Sequence, residues 1–153
     1  AAQQGRTGAL NDAVANDGWT LVTQQTAEWN AEKAQQIVQS VIDSGESFNV
    51  IYAENDDMAK GAVAALDKAN IPHGVGKDVI VMGFDCNKWA LEELLNQNWN
   101  YDGQCNPFQA SYIDDIIKKI EAGETISEKT IIMDEKGFDA STITQADVDQ
   151  YGI

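Results

Sequence analysis

The sequence predicts an α/β fold, a parallel sheet flanked by helices. Three observations carry this. Segments of strand formers alternate with segments of helical spacing along the chain. "NVIYA" (49–53) and "VIVMGF" (79–84) are continuous apolar runs, as expected where helices cover both faces of a sheet. The 153 residues, 43% of them hydrophobic, are enough for one domain with a real core.

The elements follow in order. Residues 4–17, "QGRTGALNDAVAND", read as a helix stopped by Gly18. "WTLVTQQ" (19–25) is rich in strand formers. In 30–45, Ala34, Ile37, Val38, Val41 and Ile42 recur at helical spacing until Gly45. "FNVIYAE" (48–54) reads as a strand. The next helix, 56–69, carries Met58, Ala62, Ala65, Leu66 and Ala69 on one face. A strand at 78–85, a helix at 88–97 and a strand at 99–105 follow. Residues 108–123 form a strongly amphipathic helix, "KTIIMD" (129–134) a last strand, and "TQADVDQYGI" a final turn of helix.

Charge and composition exclude several classes. Net charge is −15, with 25 acids against 10 bases, so nucleic acid is not an expected partner. No apolar run reaches the length of a membrane span. The opening "AAQQGRTGAL" lacks a basic-then-apolar pattern, so a signal segment is expected outside this chain. Two cysteines and one histidine, His73 in a polar loop, match no zinc pattern, and no metal or cofactor is expected.

In open parallel sheets, ligands bind beyond the carboxyl ends of the strands. The residues found there are "TAEWN", "ENDD", "DCN" and "QCN", with Arg6 placed to reach the same rim. Carboxylate, amides and one aromatic ring suit a neutral polyhydroxyl ligand. Planar polar groups pair with vicinal hydroxyls, and the ring covers a C–H face. Each residue also has a plainer reading. One of Asn55, Asp56 and Asp57 caps the following helix, which leaves Asn55 free, and Asp85 stands where a cap would stand too. Trp29, like Trp19, Trp89 and Trp99, can serve packing. Arg6 can be a surface charge. The recurrence at successive strand ends is what favours a site.

No catalytic set emerges, and the chain reads as a non-enzyme. There is no GxSxG, phosphate-binding glycine loop or HExxH. Cys86 has no nearby His to activate it. The pairs Asp56/Asp57 and Asp114/Asp115 point about 100° apart on a helix. They read as a cap and a solvated face.

"VIYAENDDMAKGAVAAL", "GKDVIVMGFD" and "YDGQCNPFQ" together resemble the periplasmic sugar-binding proteins of the ribose and galactose type, the type I solute receptors of ABC transporters. The order of motifs matches along nearly the whole chain. The ligand cores of LacI-type regulators share the fold, so a sugar-sensing core of such a regulator is the alternative. The resemblance implies two lobes clamping a monosaccharide, joined by hinge crossings. It assigns sugar hydrogen bonds to Arg6, Asn55, Asp85 and Gln104, and ring stacking to Trp29.

The resemblance also implies that this chain is the C-terminal portion of a longer receptor. Residues 1–104 would be the C-terminal lobe lacking its first strand. Residues 105–128 would be the hinge crossing and a helix that docks on the missing N-terminal lobe, and 129–153 the return strand and tail. That helix would otherwise expose Phe108, Tyr112, Ile113, Ile116, Ile117 and Ile120. The implied partners are a monosaccharide, the N-terminal lobe and an ABC permease in the membrane, and the implied location is extracytoplasmic. Cys86 and Cys105 depart from the family pattern. They follow the ends of two neighbouring strands, so the alternatives are a disulfide bracing site loop to hinge and two unlinked thiols.

Overall fold

A computed structural model of the chain describes residues 2–153. Six helices and four strands alternate: α1 Ala2–Asn16, α2 Ala31–Ser44, β1 Val50–Tyr52, α3 Asp56–Lys68, β2 Ile80–Asp85, α4 Lys88–Leu95, β3 Tyr101–Gln104, α5 Ala110–Glu121, β4 Gly137–Asp139 and α6 Gln145–Tyr151. The strands form one sheet in the order β1-β2-β3-β4. β1, β2 and β3 run parallel, and β4 closes the far edge antiparallel. The predicted α/β architecture is therefore present.

The core lies between β2 and β3 and the helices that return from them. Leu66 of α3, Val81 of β2, Leu91 and Leu94 of α4 and Val148 of α6 are fully buried. Trp99 fills the middle at 2% exposure, with Trp89 edge-on to it at 5.8 Å between ring centroids. Helix ends obey local chemistry. Asn30 caps α2 by accepting from the Lys33 N–H at 2.9 Å, and Gly45 ends it in the left-handed conformation. Thr144 and Asp147 form a reciprocal capping box on α6.

Two expected strands do not form. Residues 19–25 are exposed and form no ladder with any of the described residues. They lie across a groove of about 820 Å³ from β1, lined by Thr20–Gln25, by Ile37, Val38 and Val41 of α2, and by Val50–Tyr52. A strand needs a hydrogen-bonding neighbour, and this one lies too far from the free edge of β1. The other is 129–134. The last strand is instead Gly137–Asp139, paired as Gly103↔Gly137 and Tyr101↔Asp139. Continuing that register would set Met133 opposite Pro107, which has no N–H to give. A Cβ at 137 would sit 1.8 Å from the Tyr101 hydroxyl, so a larger residue there would have to displace that ring.

Helices α1 and α5 bury no residue. Phe108, Ile113, Ile117 and Ile120 are 49–66% exposed, as the sequence led us to expect. Ile116 is half-buried instead.

Helices α2 and α3 meet backbone to backbone at Gly61, where an added Cβ would lie 2.0 Å from the Ala31 carbonyl oxygen. Backbone cannot yield as a side-chain tip does. Gly61→Ala should therefore destabilise the chain by about 1–3 kcal/mol, against the roughly 1 kcal/mol that alanine gains in a helix. A lowered urea midpoint with unchanged slope is the expected result.

Candidate functional site

The carboxyl ends of β1, β2 and β3 meet α1 at one rim. Arg6, from the first turns of α1, is the centre of this cluster. Its Nη2 donates to Asp85 Oδ1 at 2.8 Å, and its Nη1 donates to the Glu54 carbonyl oxygen. The guanidinium lies over the Phe84 ring, 4.9 Å from the centroid. Tyr52 packs edge-on against Phe84 and donates its hydroxyl to the Arg6 carbonyl at 2.9 Å. Thr7 donates to the Glu54 carboxylate. Because α1 buries no residue, these polar bonds dock it on the sheet.

Asp85 ends β2 with φ at 115°, and Cys86 follows at 59°. Both lie in the left-handed region that side chains disfavour. The turn is held from both sides. The Asn87 N–H donates to Asp56 Oδ2, the Cys86 carbonyl accepts from the Ile153 N–H, and the Lys88 N–H donates to the Ile153 carbonyl. This strained turn aims Asp85 at Arg6 and sends Cys86 into the core. The Asp85 side chain keeps 29% exposure, so a ligand can still reach it.

Gln104 ends β3 directly beside Asp85 in the parallel register. Its Oε1 accepts from the Lys136 N–H at 3.2 Å, which leaves its amide NH₂ to offer. Asn55 corrects an expectation, because it is itself the α3 cap. Its Oδ1 accepts from the Met58 N–H at 2.9 Å, it is 8% exposed, and its Nδ2 is what it can offer a ligand. Trp29 follows Glu28 in a turn where both residues adopt positive φ. It is 45% exposed and stands on the groove wall with Thr7 and Glu54. Arg6, Asp85, Gln104 and Asn55 thus gather at the strand ends, and Trp29 joins through the groove.

Sequence reasoning placed Arg6 at this rim but missed Tyr52, Glu54 and Phe84, which hold it there. Apolar runs advertise strands rather than the polar duty of their last residues. It also misread Asp56. That residue neither caps nor faces solvent but is fully buried, its Oδ2 accepting from Asn87 N–H and Nδ2 at 2.8 and 3.0 Å. The disulfide is not formed either: Cys86 is buried and Cys105 exposed, both free. The positive φ at Cys86 turns its side chain inward, away from the surface where Cys105 lies. Burial, and then the charge of Asp102, push the Cys86 thiol well above its usual range, so it stays protonated. Burial followed by Glu54 raises the Tyr52 phenol.

Comparison with known proteins sets this geometry in context. The chain is 30% identical over 128 residues to the fructose import binding protein FruE of Bifidobacterium longum, covering 82% of this chain and 38% of that protein. It is 30% identical over 84 residues to the ribose import binding protein RbsB of Bacillus subtilis, covering 55% of this chain and 26% of that one. The chain therefore spans well under half the length of these relatives. Among solved structures, a Mycobacterium smegmatis protein in complex with β-D-fucofuranose superposes with TM-score 0.74 at 26% identity, over 95% of this chain and 45% of that one. The arabinose-transporter binding component of Shewanella sp. ANA-3 reaches TM-score 0.82 at 22% identity, over 95% and 48%, which speaks for the fold. A family model described as "Periplasmic binding protein domain" matches residues 1–122, and the chain belongs to that family.

Proposed function

We propose that this chain forms the C-terminal part of an extracytoplasmic sugar-binding protein that delivers a monosaccharide to an ABC permease. The observation that carries this reading is the Arg6–Asp85 pair at the strand ends, with Gln104 and Asn55 beside it. An ionised carboxylate and a guanidinium held together make charge-assisted bonds to vicinal hydroxyls on either side. Amide groups at the margin complete such a set, and Trp29 offers a flat apolar face to the sugar ring. Relatives named for fructose and ribose import support the ligand class.

On this reading residues 1–104 form the sugar-binding lobe, 105–128 cross the hinge and dock on an N-terminal lobe, and 129–153 return. The exposed apolar face of α5 supports the docking role. The groove between 19–25 and β1 has unpaired backbone on both walls, which suits one additional strand of the same lobe. Closing two lobes on the sugar is a hinge motion that the permease can sense.

Calorimetric titration of the intact protein with pentoses, hexoses and polyols tests the site. Asp85→Ala should weaken binding at least tenfold, since a hydrogen bond to a charged group contributes about 1.5–3 kcal/mol, and Trp29→Ala should weaken it severalfold through the lost stacking face, about 0.5–1.5 kcal/mol. Wild-type affinity for every sugar in both variants would overturn the assignment. Sedimentation tests the incomplete lobe. This chain alone should self-associate and form a one-to-one complex when co-expressed with the preceding portion of the protein. A well-folded monomer indifferent to that portion would refute the idea.

A further inference from the structure

Beneath the rim lies an acid pair that the sugar reading does not use. Asp56, the first residue of α3, and Asp102, inside β3, are both fully buried. Gly83 is the strand neighbour of Asp102 and stands against Asp56 Oδ1, so the two carboxyls meet in one buried place, where each raises or lowers the other's hold on a proton. Asp56 Oδ2 is satisfied by Asn87, but Asp56 Oδ1 and both oxygens of Asp102 meet no well-placed N–H or O–H donor among the described residues. Gly83 and Trp99 close this space, because a Cβ on Gly83 would stand 2.7 Å from Asp56 Oδ1 and 3.0 Å from the Trp99 ring. Two buried carboxylates in contact cannot both carry charge at tolerable cost. One proton between them turns repulsion into a short charged hydrogen bond. The Cys86 backbone N–H and thiol also bear on Asp102, neither in a well-aligned hydrogen bond.

The pair touches all three strand-end segments of the rim. Asn55 immediately precedes Asp56. Asn87, held by Asp56, lies two residues past Asp85. Gln104 lies two residues past Asp102 on the same strand. We propose that Asp56 and Asp102 share one proton, and that this protonated pair is the positioning device that holds Asn55, Asp85 and Gln104 at one rim. The positioning half of the proposal rests on the sugar-site reading; the shared proton does not.

The groups facing the pair make it costly to ionise. Asp85 bears on both carboxyls from the end of β2, and the Cys86 thiol stands on the turn. Tyr101 precedes Asp102 on β3 and points to the other face of the sheet, where Asp139 of β4 is its register partner. No cation is among these groups, and Arg6 is engaged by Asp85. Burial comes first in raising both carboxyls above their usual range. A carboxyl that binds its proton more tightly when folded is most favourable to stability at low pH. That contribution declines as pH rises above the ordinary carboxylate range, because the unfolded chain releases the proton first.

Infrared spectroscopy of the intact protein at pH 7 should show the absorption of a buried protonated carboxylic acid. It should vanish in Asp102→Asn, whose amide can donate to Asp56 without a titrating proton. Across pH 5 to 8 the wild-type unfolding constant should rise towards about tenfold per pH unit, the limit for one proton, and Asp102→Asn should flatten that slope. Sugar affinity should weaken at alkaline pH in the wild type and hold steady in the variant. No protonated acid in the wild type, a result needing no variant to fold, would overturn the shared proton. A sugar-affinity profile identical in the two proteins would overturn the positioning role. Failure of the wild type to bind any sugar would overturn the sugar reading alone, while the infrared band and the pH slope would still decide the proton.

Discussion

The register of β2 against β3 is the constraint on which the rest of this structure depends. It sets Asp85 beside Gln104 at the rim and Gly83 beside Asp102 one layer below. Side chains alternate along a strand, so a slip of one residue would turn one strand's set to the other face of the sheet. Asp102 would then face the opposite side of the sheet, and Asp56 would lose its counterpart. Gly83 matters to the same layer, since any larger residue would collide with the Asp56 carboxyl.

The two charged clusters at this end of the sheet differ in what they cost. Arg6 and Asp85 satisfy each other, and the Asp85 carboxylate remains partly open to solvent. Arg6 also spends its donors on a backbone carbonyl and its face on Phe84, so it stands ready in one position. A ligand meeting it need not order a long flexible side chain. Asp56 and Asp102 are closed off from water and have few donors. Their presence under the strained Asp85–Cys86 turn costs stability that an apolar pair would not.

Much of the fold was legible because it depends on local pattern. The apolar runs 49–53 and 79–84 and the helical spacing in 30–45 and 56–69 each contain their own evidence. Asn55, Asp85 and Gln104 stood out because strand ends are visible in sequence. Segment 19–25 was not legible in the same way. It has the composition of a strand, but a strand exists only where a partner lies alongside, and no neighbour among the described residues does. Likewise "KTIIMD" has strand formers, yet the available edge of β3 ends before Pro107, and the pairing fell to a glycine-led segment that strand propensity disfavours.

Composition, periodicity and the order of motifs therefore determined the α/β class, the positions of most helices and the set of polar residues at the strand ends. Those properties follow from each segment's own periodicity and from the rule that strand ends face the ligand. Tertiary structure alone decided which residues are partners. Arg6 meets Asp85 across 79 positions, Asp56 leaves its helix surface for the core, and Cys86 turns away from Cys105. The physical reason is that pairing and burial are properties of two segments at once. A backbone turn through positive φ, or one glycine facing a carboxyl, redirects a side chain in ways that no residue's identity announces.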